Sequence, residues 1–87
     1  MKLLDSAKYM SENRHKNERT HGGQPCILCG HKVSDHPDHW IHLTDVDMIV
    51  PRAVTEPQLT MAGYTSKGLH PVGSSCVKKL PKTYVIT

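Results

Sequence analysis

Three cysteines constrain this sequence most, because two form the tight pattern Cys26-x-x-Cys29-Gly30 and the third, Cys76, lies far along the chain. Two residues between the first two thiols let both sulfur atoms face one point, as tetrahedral zinc requires at Zn–S distances of about 2.3 Å. An odd number of cysteines leaves one thiol over in any intramolecular disulfide scheme. The pattern therefore predicts that the three thiols bind one structural zinc ion.

The scarcity of core-forming residues points to the same kind of staple. The chain has 87 residues, no Phe, one Trp and 37% hydrophobic residues, a composition that fits one small domain. Hydrophobic burial alone barely stabilises a domain of this size, and a disulfide or a metal ion is the usual supplement. A bound metal would explain how this chain folds.

The sequence shows neither a secretory signal nor a membrane span. Residues 1–20 contain one apolar pair, Leu3-Leu4, and no apolar segment follows it. No run approaches the roughly 18 apolar residues that a membrane helix needs. We therefore expect a cytoplasmic protein, in which thiols stay reduced and clustered cysteines bind metal. A redox-active Cys-x-x-Cys would need a βαβ context, which the pattern does not show.

The residue pattern divides the chain into two parts. Residues 1–23 are mostly polar and are predicted to form a flexible or helical arm. Within it, the apolar side chains of residues 2–9 have helical spacing. Gly22-Gly23 then interrupts the chain, so residues 24–87 are predicted to form the zinc-binding domain.

Within that domain the pattern predicts a β-hairpin followed by a loop. Residues 40–44 are rich in aromatic and β-branched side chains, and residues 48–54 form a second strand. Pro51 interrupts the second strand, which places it at a sheet edge. Residues 56–67 have few large apolar side chains, and Gly63 and Gly68 break the pattern. We therefore predict a loop with a short extended piece there.

A short helix is predicted over residues 74–80, with Ser74 as its N-cap and Pro81 ending it. Cys76 then lies in the first turn, where unpaired N–H groups and the helix dipole favour a thiolate. Residues 84–86 are β-prone and are expected either to pair with the sheet or to fray.

The fourth zinc ligand must come from among seven histidines, if it is not water or an acidic group. The leading candidate is His42, because a strand holds it rigidly and Trp40, on the same face, could exclude water from the metal. His39, His36 and His70 remain alternatives.

Knuckle, hairpin and a helix that delivers the last ligand follow one another in the order of a treble-clef zinc finger. The predicted fold is therefore a small, zinc-bound α+β domain of treble-clef-like form. It departs from the usual arrangement because the helix offers one ligand, Cys76, rather than two.

Three pieces of the sequence together resemble a group of small, mostly uncharacterised zinc-binding proteins of tailed bacteriophages. They are Cys26-x-x-Cys29-Gly30, Trp40-x-His42 and Pro71-Val72-Gly73-x-x-Cys76, and they cover roughly residues 26–80. The resemblance implies the ligand set Cys26, Cys29, His42 and Cys76. It implies no activity.

The closed four-ligand site leaves no open metal position for catalysis, so we expect a non-enzymatic binding module. The favoured partner is a host protein, with the protein acting in the host cytoplasm as a phage accessory factor. Leu59, Met61 and Tyr64 could form the contact, although they are more simply explained as core residues.

Nucleic acid is the alternative partner. The net charge is only +3, but the basic residues concentrate at the two ends of the chain. Lysines near phosphates and one stacking tyrosine would support weak, salt-dependent binding. The candidate residues are Lys78, Lys79, Lys82, Tyr84, Arg14 and Arg19.

A treble-clef nuclease is the enzymatic alternative. Such a site needs a general-base histidine and a catalytic metal held by a His or Asn of the helix. Residues 74–80 contain neither residue type, which argues against this activity.

Overall fold

The computed structural model describes residues 2–11, 25–30 and 37–87. It shows a small α+β fold with a four-stranded antiparallel sheet and two short α-helices. The strands are β1 (Leu4–Asp5), β2 (Trp40–Thr44), β3 (Met48–Val50) and β4 (Ser66–Pro71), and the helices are α1 (Glu56–Met61) and α2 (Ser74–Val77). Two 3₁₀ helices span Ser6–Lys8 and Lys82–Tyr84. No helix in the described ranges is long and apolar enough to cross a membrane.

The predicted hairpin of β2 and β3 is confirmed, but β3 is shorter than expected and is not an edge strand. The sheet order is β1-β3-β2-β4, so β1 covers the outer side of β3 through the pair Leu4 and Ile49. β3 ends at Val50 because the next residue is Pro51, which has no N–H to donate to a strand partner.

The helix expected over residues 2–9 is wrong, because this segment forms β1 and a 3₁₀ turn. The Asp5 side chain caps that turn by accepting a hydrogen bond from the Ala7 amide at 3.0 Å. Leu4 packs against the main core, and the Tyr84 hydroxyl donates to the Lys2 carbonyl. The domain boundary at residue 23 lies outside the described residues and stays a prediction.

The loop expected over residues 56–67 is also wrong. This stretch begins with α1 and ends in β4. A capping box starts α1: the Thr55 hydroxyl accepts from the Gln58 amide, and the Gln58 side chain accepts from the Thr55 amide at 2.9 Å. Pro57 in the first turn adds a preset helical φ angle.

The C-terminal helix α2 has four residues rather than the seven expected over 74–80. Its N-cap is Gly73, not Ser74, and no side chain caps it. Beyond α2 the chain makes the 3₁₀ turn at Lys82–Tyr84. Ile86 then pairs with Trp40 through two backbone hydrogen bonds of 2.8 and 2.9 Å, so the β-prone end joins the sheet.

The main core lies between one face of the sheet and the segments that carry the cysteines. On the sheet side, Ile41, Leu43 and Ile49 are almost fully buried. The residues that pack against them come from the knuckle, α2 and the C-terminal segment, and they are Cys26, Leu28, Val72, Cys76, Leu80, Tyr84 and Val85. The cysteines are thus part of the core, and whatever holds them together also holds the fold together.

The other face of the sheet carries a second, smaller buried set. Val50 is the strand partner of His42, and both are buried outside the main core. α1 packs against β4 and supplies Leu59, which is fully buried. A side-chain period of two therefore separates His42 from the face that Ile41 and Leu43 present to the cysteines.

Candidate metal centre

The knuckle that carries the first two cysteines is a closed turn. The Gly30 amide donates to the Cys26 carbonyl at 2.9 Å. Gly30 has φ of 80°, a left-handed conformation that glycine adopts without steric cost. The Ile27 amide donates to the Pro71 carbonyl at 3.0 Å, which ties the turn to the end of β4. The motif Cys-x-x-Cys-Gly is thereby held beside the start of α2.

The three cysteine sulfurs converge at this point. The Sγ atoms of Cys26, Cys29 and Cys76 all lie within 4.8 Å of one another. Tetrahedral zinc with bonds of about 2.3 Å places its sulfur ligands about 3.8 Å apart, a separation compatible with this upper bound. No disulfide joins the three cysteines, all of which the structure describes. Thiolates are soft ligands that suit zinc, and this cluster therefore fits a metal ion.

Cys26 lies in surroundings that favour a thiolate. Burial by itself raises the pKa of Cys26, but the backbone amides of Gly73, Cys29 and Leu28 outweigh burial and hold it below the usual thiol value. The Gly73 N–H donates directly to the Cys26 sulfur at 3.2 Å. Hydrogen bonds from amides to sulfur stabilise the thiolate, which is the form of cysteine that binds a metal ion.

Cys76 shows the opposite shift. Burial raises the pKa of Cys76 to about 12, and the negative charge of Cys26 adds to the rise. Without a cation, the pocket thus accepts a negative charge on one thiol and resists a second nearby. A divalent ion would remove this conflict, since its charge lies closest to all three sulfurs.

The structure does not bring His42 to the thiols. His42 is buried, but its Nε2 atom lies 2.7 Å from the hydroxyl of Ser66, which belongs to the neighbouring strand β4. The Gly68 amide also donates to that hydroxyl at 3.2 Å. Since Ile41 and Leu43 face the cysteines, strand alternation directs His42 to the opposite face. His42 therefore forms a hydrogen bond with Ser66 on the face that carries the second buried set.

Among the other histidine candidates, His39 has the most suggestive environment. Its Nδ1 atom is buried and has no hydrogen-bond partner within the described part of the chain. Its carbonyl accepts from the Val72 amide at 3.0 Å, next to Gly73, which contacts the Cys26 sulfur. His39 nonetheless does not belong to the cluster of three sulfurs.

Of the two remaining alternatives, the structure describes only His70, which does not join the cluster of sulfurs. The His70 Nε2 atom lies 3.2 Å from the Lys67 carbonyl, in an exposed contact on the edge strand. His36 lies outside the described residues, as do His15, His21 and His31.

The predicted nucleic-acid residues are placed unevenly. Lys78, Lys79 and Lys82 are exposed near the C-terminal end. Tyr84 is only 8% exposed and packs in the main core, so its ring offers no free face for stacking on a base. Arg14 and Arg19 lie outside the described residues.

The apolar residues considered for partner binding differ in exposure, because α1 buries Leu59 and exposes Met61. Leu59 is fully buried as core, Tyr64 is partly buried, and Met61 is 89% exposed. Leu59 thus matches the core interpretation, whereas Met61 does not.

Sequence reasoning missed the role of Gly73. Its amide caps the thiolate of Cys26, and its extended φ and ψ angles also start α2. The only signal was its position three residues before Cys76, which by itself does not distinguish a sulfur-binding amide from a helix start.

No protein-family model, curated protein or solved structure matches this chain.

Proposed function

We propose that this chain is a zinc-stabilised, non-enzymatic binding domain in which one zinc ion fastens the knuckle to α2. The observation that carries the proposal is the convergence of three cysteine sulfurs from two distant segments. Cys26 and Cys76 are both buried in the main core, so the ion would stabilise the fold at its centre. Zinc sites in small domains contribute on the order of 10 kcal/mol to folding.

We assign the fourth ligand to His39. A buried imidazole nitrogen without a partner loses hydrogen bonds to water, which costs about 1–3 kcal/mol unless something replaces them. A metal–nitrogen bond would replace them at Nδ1. The imidazole would have to move toward the sulfurs, while its backbone stays tied to Val72. A site closed by four protein ligands has no position for a substrate, which supports a structural role.

The order of knuckle, hairpin and ligand-bearing helix supports a treble-clef-like form. The chain differs from the usual arrangement in two respects: α2 has four residues and one ligand, and α1 with β4 is inserted before it. The metal proposal does not depend on the fold name.

The partner is proposed to be a host protein, and this rests on the resemblance to phage zinc-binding proteins. Nucleic acid is the weaker candidate, because Tyr84 is buried and its ring cannot stack on a base. A salt titration of DNA or RNA binding separates the two. Phosphate contacts by Lys78, Lys79 and Lys82 would make the affinity fall steeply with salt.

Metal removal tests the proposal. We expect a chelator to unfold the purified chain, because a loss of about 10 kcal/mol exceeds the stability of many small domains. Thermal unfolding monitored by circular dichroism, with and without chelator, measures this. Cys76→Ser should behave like the chelated protein, whereas Ser75→Ala, an exposed neighbour, should retain metal and stability. An unfolding curve that the chelator leaves unchanged would contradict the proposal.

A further inference from the structure

A cavity of about 340 Å³ is lined by residues of the C-terminal segment, Thr87 among them, together with His39 and Arg52. Its floor is apolar and consists of Val77, Leu80 and Val85, of which Leu80 and Val85 are buried. Cavities of about 300–1,000 Å³ with mostly apolar walls are the usual size for small-molecule sites. The floor is therefore large enough and apolar enough to hold a small hydrocarbon group.

The rim of this cavity is positively charged. Arg52, Lys78 and Lys82 line it, and all three side chains are exposed. No acidic side chain from the described ranges lines it, and none of the three cations forms an ion pair with a described residue. In contrast, Lys67 on β4 is paired with Asp47 at 2.8 Å. Within the described part of the chain, the three rim cations thus have no anionic partner.

We propose that this cavity binds a small organic anion whose aliphatic body fills the floor and whose carboxylate meets Arg52, Lys78 and Lys82. Lysine and arginine side chains can lay their methylene stems along apolar surface and keep their charges at the edge, which suits a ligand with one apolar and one charged end. None of the three cysteines lines this cavity, although His39, the proposed fourth zinc ligand, does. The anion site goes beyond the zinc-stabilised fold.

The surroundings favour an aliphatic carboxylate over a nucleotide. A nucleotide would need an aromatic or planar surface on which its base stacks. The floor residues are aliphatic, and the nearby Tyr84 is buried in the main core. The lysines predicted to contact nucleic acid therefore have a second use, in which the phosphate is replaced by a carboxylate.

Nuclear magnetic resonance titration of the full chain with hexanoate tests the proposal, and hexanamide serves as the uncharged analogue of the same length. We expect hexanoate to give saturable shifts of the Val77, Leu80 and Val85 signals, and hexanamide to bind about fivefold more weakly, as loss of an exposed charge pair predicts. Added salt should weaken hexanoate binding and leave hexanamide unchanged.

Two charge-reversal variants at adjacent positions provide the matched control. Lys78→Glu removes a rim cation, whereas Lys79→Glu makes the same change at an exposed residue that does not line the cavity. We expect hexanoate affinity to fall about fivefold or more in Lys78→Glu and to stay unchanged in Lys79→Glu. Equal binding of hexanoate and hexanamide, equal loss in both variants, or shifts confined to other parts of the chain would overturn the proposal.

Zinc content, measured on the same samples, separates this proposal from the previous one. A chain that keeps one zinc ion and does not bind hexanoate overturns the anion site alone. A chain that binds hexanoate without any metal overturns the zinc site alone.

Discussion

The pKa values of the two buried thiols of the cluster are shifted in opposite directions. Amides of Gly73, Cys29 and Leu28 lower the pKa of Cys26, whereas burial and the charge of Cys26 raise the pKa of Cys76 to about 12. At neutral pH the metal-free protein should therefore carry a proton on Cys76. Zinc must displace that proton, because the thiolate is the ligand.

This difference predicts proton release when zinc binds at pH 7. The folded-state pKa of Cys76, about 12, lies above its ordinary value of 9.0, so the thiol stays protonated until the metal arrives. Calorimetric titration in two buffers of different ionisation enthalpy counts the protons. Cys76→Ser, which we expect to bind no zinc, should release no protons. Equal release from both proteins would show that Cys76 is not a ligand.

Replacement of His39, which precedes β2, and of His42, which lies within it, should affect metal binding differently. We expect His39→Ala to weaken Co²⁺ binding and change its visible spectrum, because a nitrogen ligand is lost. His42→Ala should keep the spectrum, although removal of the Ser66 contact and a buried ring should lower stability. If His42→Ala changes the spectrum and His39→Ala does not, the assignment of the fourth ligand is wrong.

At the scale of elements, the sequence predicted the hairpin but not α1 or β1. The β2 pattern of aromatic and β-branched residues is local, and so is the stop at Pro51. The capping signal Thr55-x-x-Gln58 is present in the sequence but was not used in the loop prediction. β1 could not be predicted locally, because two residues become a strand only when Leu4 meets Ile49.

The capping box of α1 provides a test at this scale. We predict that Thr55→Ala lowers the free energy of unfolding by about 1 kcal/mol, since it leaves the Gln58 amide without its partner. Thr60→Ala, inside the same helix and exposed, should be neutral or slightly stabilising. Denaturant unfolding of the zinc-loaded proteins measures both. Equal effects of the two variants would show that the cap does not stabilise α1.

At the scale of the whole molecule, the cysteine cluster that could hold a metal was predictable, but the position of the histidine was not. Spacing and count identified Cys26, Cys29 and Cys76, because a knuckle motif is local and an odd cysteine needs a partner. The placement of His42 was not predictable, since a strand has two faces and the sequence does not say which one meets the cysteines. That choice depends on distant elements such as α1, which packs against β4.

The arrangement of the main core accounts for how a chain with few hydrophobic residues can fold. The main core joins residues from both ends of the chain and from the knuckle, with two cysteines inside it. A metal ion at the cysteines would link these segments directly. Leu4 and Tyr84 add contacts between the N-terminal strand and the C-terminal turn.

Native mass spectrometry of the purified chain tests the zinc site most directly, because it counts metal ions on folded molecules. We predict one zinc ion per natural chain and none on Cys76→Ser. A folded natural chain that carries no metal, or a Cys76→Ser chain that retains one zinc ion, would contradict the proposal.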